Sequence, residues 1–270
     1  MTADAQRANV RKAAAAMADL ARDHDIVVAH GNGPQVGLLA LQAAAYKDVD
    51  PYPLDILGAE SVGMIGYLVE QELTNEMPAG SRIATLLTQI EVDRDDPAFA
   101  RPEKPIGPVY TQDEALKAKE AHGWPMVEEA QGRWRRVVPS PLPARITQIE
   151  TIRLLVEAGV TVICAGGGGI PVARDANGTL HGLEAVIDKD RAACLLAKAL
   201  GADAFLMLTD VDAVYDAWGT VDKRPIRKVT PAELNSDVFA AGSMRPKVEA
   251  ACDFANAGGI AGIGRLEDAV

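Results

Sequence analysis

Asp25-Ile-Val-Val-Ala-His-Gly-Asn-Gly-Pro-Gln35 is a short apolar run closed by a glycine-punctuated turn, and a helix-like stretch from Val36 to about Tyr46 follows it. A strand that feeds a helix this way opens an α/β unit, because parallel strands need a crossover between them. An Asn-Gly hairpin would need a second strand within a few residues, and none follows. Glycines at such a turn let backbone N–H groups approach an anion closely, and a helix N-terminus favours negative charge. Gly31, Asn32 and Gly33 are therefore candidates for holding a phosphate or carboxylate.

Outward from this turn the same alternation recurs. Helices are predicted from about Ala5 to Arg22, Leu54 to Asn75 and Thr147 to Ala158, with two more after Asp188 and near Ser243. Apolar runs at Ile83–Val92, Val160–Ala165, Ala204–Leu208 and Gly259–Ile263 read as strands. The pattern predicts an α/β fold, a three-layer αβα sandwich around a mainly parallel sheet, spanning residues 1–270. A helix comes first, although such a domain usually opens on a strand.

Composition changes in the middle. From Pro97 to Pro143 lie eight of the sixteen prolines, Trp124, Trp134 and the basic run Arg133-Trp-Arg-Arg136. Proline interrupts both helices and ladders, so this stretch is not a run of central core elements. A small protruding subdomain over residues 93–143 is the expectation, with Trp124, Trp134, Val137 and Val138 as its own core.

The chain has 270 residues, 48% of them apolar and 24% charged, which suits a substantial core. Its net charge of −11 argues against general binding to nucleic acid or an anionic membrane. Cys164, Cys194 and Cys252 form no CxxC pair, which suggests free thiols in a reducing cytoplasm. No apolar stretch approaches the roughly 20 residues that span a bilayer. The Ala- and Arg-rich opening carries Asp4, Asp19 and Asp23, so it reads as an amphipathic helix and not a transit peptide. Four histidines without metal-ligand spacing and three cysteines without a paired base argue against metal hydrolases and thiol enzymes.

Further loops carry chemistry. Gly166, Gly167, Gly168 and Gly169 follow an apolar strand; four glycines cost folding entropy, and close backbone approach to a phosphoryl group would justify them. Ala185-Val-Ile-Asp-Lys-Asp190 opens a helix. Asp188 there is either an N-cap beside solvated Lys189 and Asp190, or Lys189 meets phosphate while Asp190 orients lysines. In Gly242-Ser-Met-Arg-Pro-Lys247, Ser243 is a candidate cap, and Lys247 sits in a first turn that disfavours cations unless an anion is bound. Lys104, in Lys104-Pro-Ile-Gly-Pro108, is a third candidate cation, held by flanking prolines. Thr209-Asp-Val-Asp212, before Tyr215, offers carboxylates for a metal, a turn or a ribose. Cations aimed at one point are what phosphoryl transfer needs from side chains.

HGNGPQVG, KPIGP, WRRVVPSP, CAGGGGIPV, EAVIDKD, LTDVD and GSMRPKVEA stand in the order and spacing of the carbamate kinases, which the chain resembles over nearly its whole length. That resemblance implies the amino-acid-kinase fold and reversible phosphoryl transfer between ADP and carbamoyl phosphate, giving ATP and carbamate, usually in arginine fermentation. It implies that Lys104 reaches over the site from the subdomain. Lys189 and Lys247 would neutralise the transferring group, and Asp190 would hold the lysines. Gly31, Asn32 and Gly33 would line the carbamate side, Gly166 to Gly169 the phosphates, and Asp210, Tyr215 and Met244 the nucleotide. It further implies Mg2+ dependence without a protein metal site, a homodimer, and a cytoplasmic location. Alanine at Lys189 or Lys247 is expected to cost rate far more than stability. Carbamate kinases begin with a strand and a Gly-Gly-Asn loop and end with a further helix and strand. These 270 residues contain neither, which predicts an incomplete version of the chain with impaired turnover. A binder that has lost catalysis, or a kinase of another small carboxylate, are the alternatives.

Overall fold

The computed structural model describes residues 3–46, 51–240 and 243–268, so Gly242 lies outside the described residues. The first half runs α1 (Ala3–Leu20), β1 (Val27–Val28), α2 (Gly33–Ala45), α3 (Leu54–Glu76), β2 (Arg82–Thr85) and β3 (Gln89–Val92). Next come β4 (Lys104–Tyr110), α4 (Gln112–His122), β5 (Met126–Ala130) and β6 (Arg133–Val138). The chain returns through β7 (Pro143–Ile146), α5 (Ile149–Glu157), β8 (Val160–Ile163), β9 (Ile170–Arg174), β10 (Leu180–Gly182) and α6 (Lys189–Leu200). It ends with β11 (Ala204–Thr209), β12 (Val214–Asp216), β13 (Arg224–Ile226), α7 (Met244–Asn256) and β14 (Ile260–Arg265).

Val162 and Ile163 are neighbours in β8, both fully buried, yet they belong to different cores. Val162 packs with Ile90, Ile152, Ile187 and Leu196, on the side of α5 and α6. Ile163 packs with Ala14, Ile65, Val69 and Leu73, on the side of α1 and α3. Successive strand residues point to opposite faces, so this one dipeptide displays all three layers. The central ladders are parallel: β1 and β2 flank β8, β3 pairs with β9, and β11 pairs with β14. Antiparallel partners β7 and β10 close the outer edges of the β3–β9 pair.

The run expected as one strand from Ile83 to Val92 is two, because Leu86–Thr88 leave the ladder. Buried Thr88 fills the break: its hydroxyl donates to Leu86 O at 3.1 Å and accepts from Ala165 N at 2.9 Å. The neighbouring chain breaks at the same level, between β8 and β9, at the four glycines. The strand expected over Asp25–His30 shortens to Val27–Val28, since His30 O is taken by Gly167 N at 2.7 Å. β9, β10, β12 and β13 carry too little alternation to be read from sequence.

Between β3 and β7, strands β4, β6 and β5 form a separate antiparallel sheet with α4 beside it. Its two prolines on β4 are tolerated because β4 is an edge strand. The expected small core differs from the observed packing. Val138 and Ile106 pack on Val36, Ala40, Leu54 and Leu57 of α2 and α3. Trp124 is half-buried, stacked on His122, with the Arg136 guanidinium 4.2 Å from its ring centre. Too few apolar side chains lie within this segment to bury one another, so it leans on the main body.

The join is tight. An added methyl at Gly37 of α2 would stand 2.2 Å from Gly107 Cα of β4. Gly37→Ala should therefore push β4 off α2 and destabilise the fold by about 1–3 kcal/mol, the usual cost of overpacking. Urea denaturation of the two proteins checks this.

Candidate active site

The N-termini of α2, α6 and α7 open onto one cavity of about 970 Å³. Each helix leaves its first N–H groups and the positive end of its dipole at that wall, so the backbone alone favours an anion there. Asn32 caps α2 through its backbone carbonyl, which accepts from Gln35 N and Val36 N at 3.0 and 2.9 Å. Its buried amide donates to Ser61 Oγ at 2.8 Å, which fixes the turn against α3. Asp188 caps α6, one oxygen accepting from Asp190 N and Arg191 N at 3.0 and 3.3 Å. Ser243 precedes α7, but its side chain makes no capping hydrogen bond. That corrects the capping role expected for it and leaves those N–H groups without a side-chain acceptor from Ser243.

Three lysines line this cavity. Lys247 donates to both Asp190 oxygens at 2.9 Å, and each side chain is only 11% exposed. Lys104 reaches from the base of β4 to the other Asp188 oxygen, also at 2.9 Å. The Lys189 ammonium has no ion-pair or hydrogen-bond partner among the described residues. It lies beside Gly31, where an added methyl would meet it at 3.4 Å. Burial and the nearby Lys247 charge hold Lys189 below its ordinary value, with Asp190 and Asp188 offsetting only part. For Asp188, burial pushes upward, but Lys104 and the two capping N–H groups outweigh it and hold the carboxyl below its usual range. An ammonium disfavoured in this way, at the mouth of three helix dipoles, stands where an anion would be favoured.

Gly31, Asn32, Gly33, Lys104, Gly167, Lys189, Asp190, Asp210, Tyr215, Met244 and Lys247 all line this one cavity. Gly166, Gly168 and Gly169 do not line it, and packing against protein neighbours gives a further reason for the glycine run. Those glycines are required by protein packing: added methyls would stand 2.4 Å from His30 Nε2, 2.3 Å from Ile187 O and 2.6 Å from Ile90 Cγ1. Gly167, Gly168 and Gly169 also have positive φ angles of 65°, 94° and 79°. Sequence reasoning missed Asp188 as a partner of Lys104, because its capping role already accounted for it. It also missed Trp218, 64% exposed on the cavity rim, whose ring lies 5.4 Å from that of Tyr215. Nothing in the polar loop around Trp218 signals it. Asp212 lies outside this cavity and accepts from the Tyr215 hydroxyl at 3.1 Å, fixing that ring.

Residues 1–263 match the Amino acid kinase family, so the fold and its cavity fall in that class. A carbamate kinase of Rhizobium meliloti is 52% identical over 271 residues, covering 99% of this chain and 83% of that protein. One from Haemophilus influenzae is likewise 52% identical, covering 100% of this chain and 87% of that protein. The structure of the Giardia lamblia carbamate kinase bound to AMP-PNP superposes with a TM-score of 0.88 at 40% identity, covering 98% of this chain and 87% of that one. The chain belongs to the carbamate kinase family. A binder that has lost catalysis is not favoured by matches of this extent.

Lys189 supplies a test that needs no turnover. A lysine whose folded pKa is depressed costs folding at neutral pH, and the cost fades as pH rises from that value towards the ordinary 10.5. Lys189→Met should therefore melt at a higher temperature than wild type at pH 7 without anions. Added inorganic phosphate should stabilise the wild type and narrow the gap. Thermal melts across phosphate concentration read both effects.

Proposed function

We propose that this cavity transfers the phosphoryl group of carbamoyl phosphate to ADP, reversibly, giving ATP and carbamate. The observation that carries the reading is the convergence of Lys104, Lys189 and Lys247 on three helix N-termini, with Lys189 unpaired among the described residues. The bond between phosphorus and the carbamoyl oxygen breaks, its electron pair leaves with carbamate, and a β-phosphate oxygen of ADP bonds to phosphorus. Carbamoyl phosphate is a mixed anhydride, so this direction is downhill. Two anions must meet in line, and what they need is positioning and charge screening. Lys189 and Lys247 are assigned to the transferring group, Lys104 to the same group from the β4 side, and Asp190 to holding Lys247. Gly31, Asn32 and Gly33 are assigned to the carbamoyl side and Gly167 to the phosphates. Asp210, Tyr215 and Met244 are assigned to the nucleotide.

Among the described residues no three His, Cys, Asp or Glu side chains converge to hold a metal ion. Asp188 and Asp190 are already ion-paired, so a divalent cation, which we take to be Mg2+, fits as one carried on the nucleotide phosphates. Bound there, it would screen the phosphate charges. We also read residues 93–143 as a subdomain, on the strength of its separate sheet. A homodimer is the assembly we infer, supported by Ile56, Met64 and Tyr67, large exposed apolar side chains along one face of α3. Light scattering behind a sizing column tests it. The three free thiols support a cytoplasmic setting.

Mixing the protein with MgCl2, ADP and carbamoyl phosphate should produce ATP. Acetyl phosphate serving better than carbamoyl phosphate would favour the kinase of another carboxylate. Lys189→Ala should lower kcat/KM by about 10²–10³ with the fold intact, the scale of losing one well-placed charge donor. Lys247 needs a different substitution. Alanine there would strand buried Asp190, at about 3–5 kcal/mol of stability, so the expectation of a mild stability effect does not extend to it. Lys247→Arg keeps the ion pair and displaces the charge; it should fold normally and lose rate on the same scale as Lys189→Ala. Steady-state rates with matched denaturation curves decide both.

A further inference from the structure

We propose that Asp188 is a positioning residue for Lys104, fixing the β4 lysine in register with the lysines of α6 and α7; this rests on the phosphoryl-transfer reading above. Its two oxygens do different work. One caps α6 through Asp190 N and Arg191 N at 3.0 and 3.3 Å; the other takes the Lys104 ammonium at 2.9 Å. The cap needs only an acceptor, and Asn would serve it. The lysine needs charge, because its long flexible stem otherwise leaves a strongly hydrated ammonium free to wander.

Among the described residues no other carboxylate pairs with Lys104. Asp190 is filled by Lys247 on both oxygens, and Asp188 is the one ion-pair partner of Lys104 among the described residues. The backbone of Lys104 is already anchored: it pairs with Val138, which packs on α2 and α3. What remains unfixed is the side chain, and Asp188 fixes it to the same helix start that presents Lys189. A negative charge beside a phosphate site weakens anion binding, so what Asp188 gives the transferring group is geometric: weaker ground-state binding accompanies a placed ammonium.

The pairing predicts a split between kinetic constants that a structural cap would not give. In the full chain with MgCl2, ADP and carbamoyl phosphate, Asp188→Asn should melt within a few degrees of wild type. Its kcat should fall roughly 10–100-fold, the order expected for a misplaced catalytic group. KM for carbamoyl phosphate should stay level or fall, since one negative charge has left the cavity. Lys104→Ala should lower kcat by a similar factor, and the double variant should be no slower than the slower single one. A kcat within twofold of wild type for Asp188→Asn would overturn the proposal. So would losses that multiply in the double variant, or a loss that tracks the unfolded fraction. A wild-type chain that makes no ATP would overturn the phosphoryl-transfer reading and this one with it.

Discussion

Three ammonium groups facing one cavity repel each other, and burial makes Lys189 harder to keep charged. The arrangement holds because α6 begins Asp-Lys-Asp. Successive residues at a helix start point about 100° apart, so the two carboxylates cannot crowd onto one lysine. Asp190 turns towards α7 and takes Lys247; Asp188 turns towards β4 and takes Lys104. Lys189, between them in sequence, is left facing the cavity. Three segments distant in the chain are thereby referred to one helix N-terminus.

The room for that helix end comes from a fault shared by two strands. β2 runs into β3 and β8 into β9 only across breaks at Leu86–Thr88 and at the glycines, where the ladder would otherwise continue. Thr88 satisfies the backbone groups the break exposes, which a buried apolar residue could not do. Gly167 N then donates to His30 O, tying the glycine loop to the turn that carries Asn32. Site and core are therefore not separable here. The residues that interrupt the sheet also set where the α2 and α6 N-termini emerge.

Much of this was legible because the long elements obey simple periodicities. The sequence predicts a helix over Leu54–Asn75 and α3 runs Leu54–Glu76, since its buried residues recur at helical spacing over many turns. The short strands failed for the opposite reason: β12 and β13 have three residues each, too few to display alternation. Gly166, Gly168 and Gly169 mark a second limit. A glycine tells of close approach but not of what approaches, and His30, Ile187 and Ile90 are the protein neighbours that approach here. The burial of Val137 and Val138 is legible in the sequence but their partner surface is not, because packing across elements leaves no local pattern. Asp188 shows a third limit. A residue with one sufficient explanation from its neighbours in sequence hides a second from a residue 84 positions away.

The overall charge of −11 opposes a site for two phosphate-bearing anions only at long range, because the two act over different distances. At physiological salt the screening length is about 8 Å, so acids spread over the surface contribute little at the cavity wall. At the α6 start Lys104, Lys189 and Lys247 stand against Asp188 and Asp190, with Asp210 and Asp216 lining the cavity as well, and the helix ends add positive potential. Ground-state attraction is therefore set locally, while the acidic exterior acts on encounter. Such a surface slows the approach of anions and repels nucleic acid, whose long phosphate array cannot enter a cavity of this size. Selectivity for small anions then follows from geometry. The lysines and helix ends act at short range, and only a molecule small enough to enter reaches them.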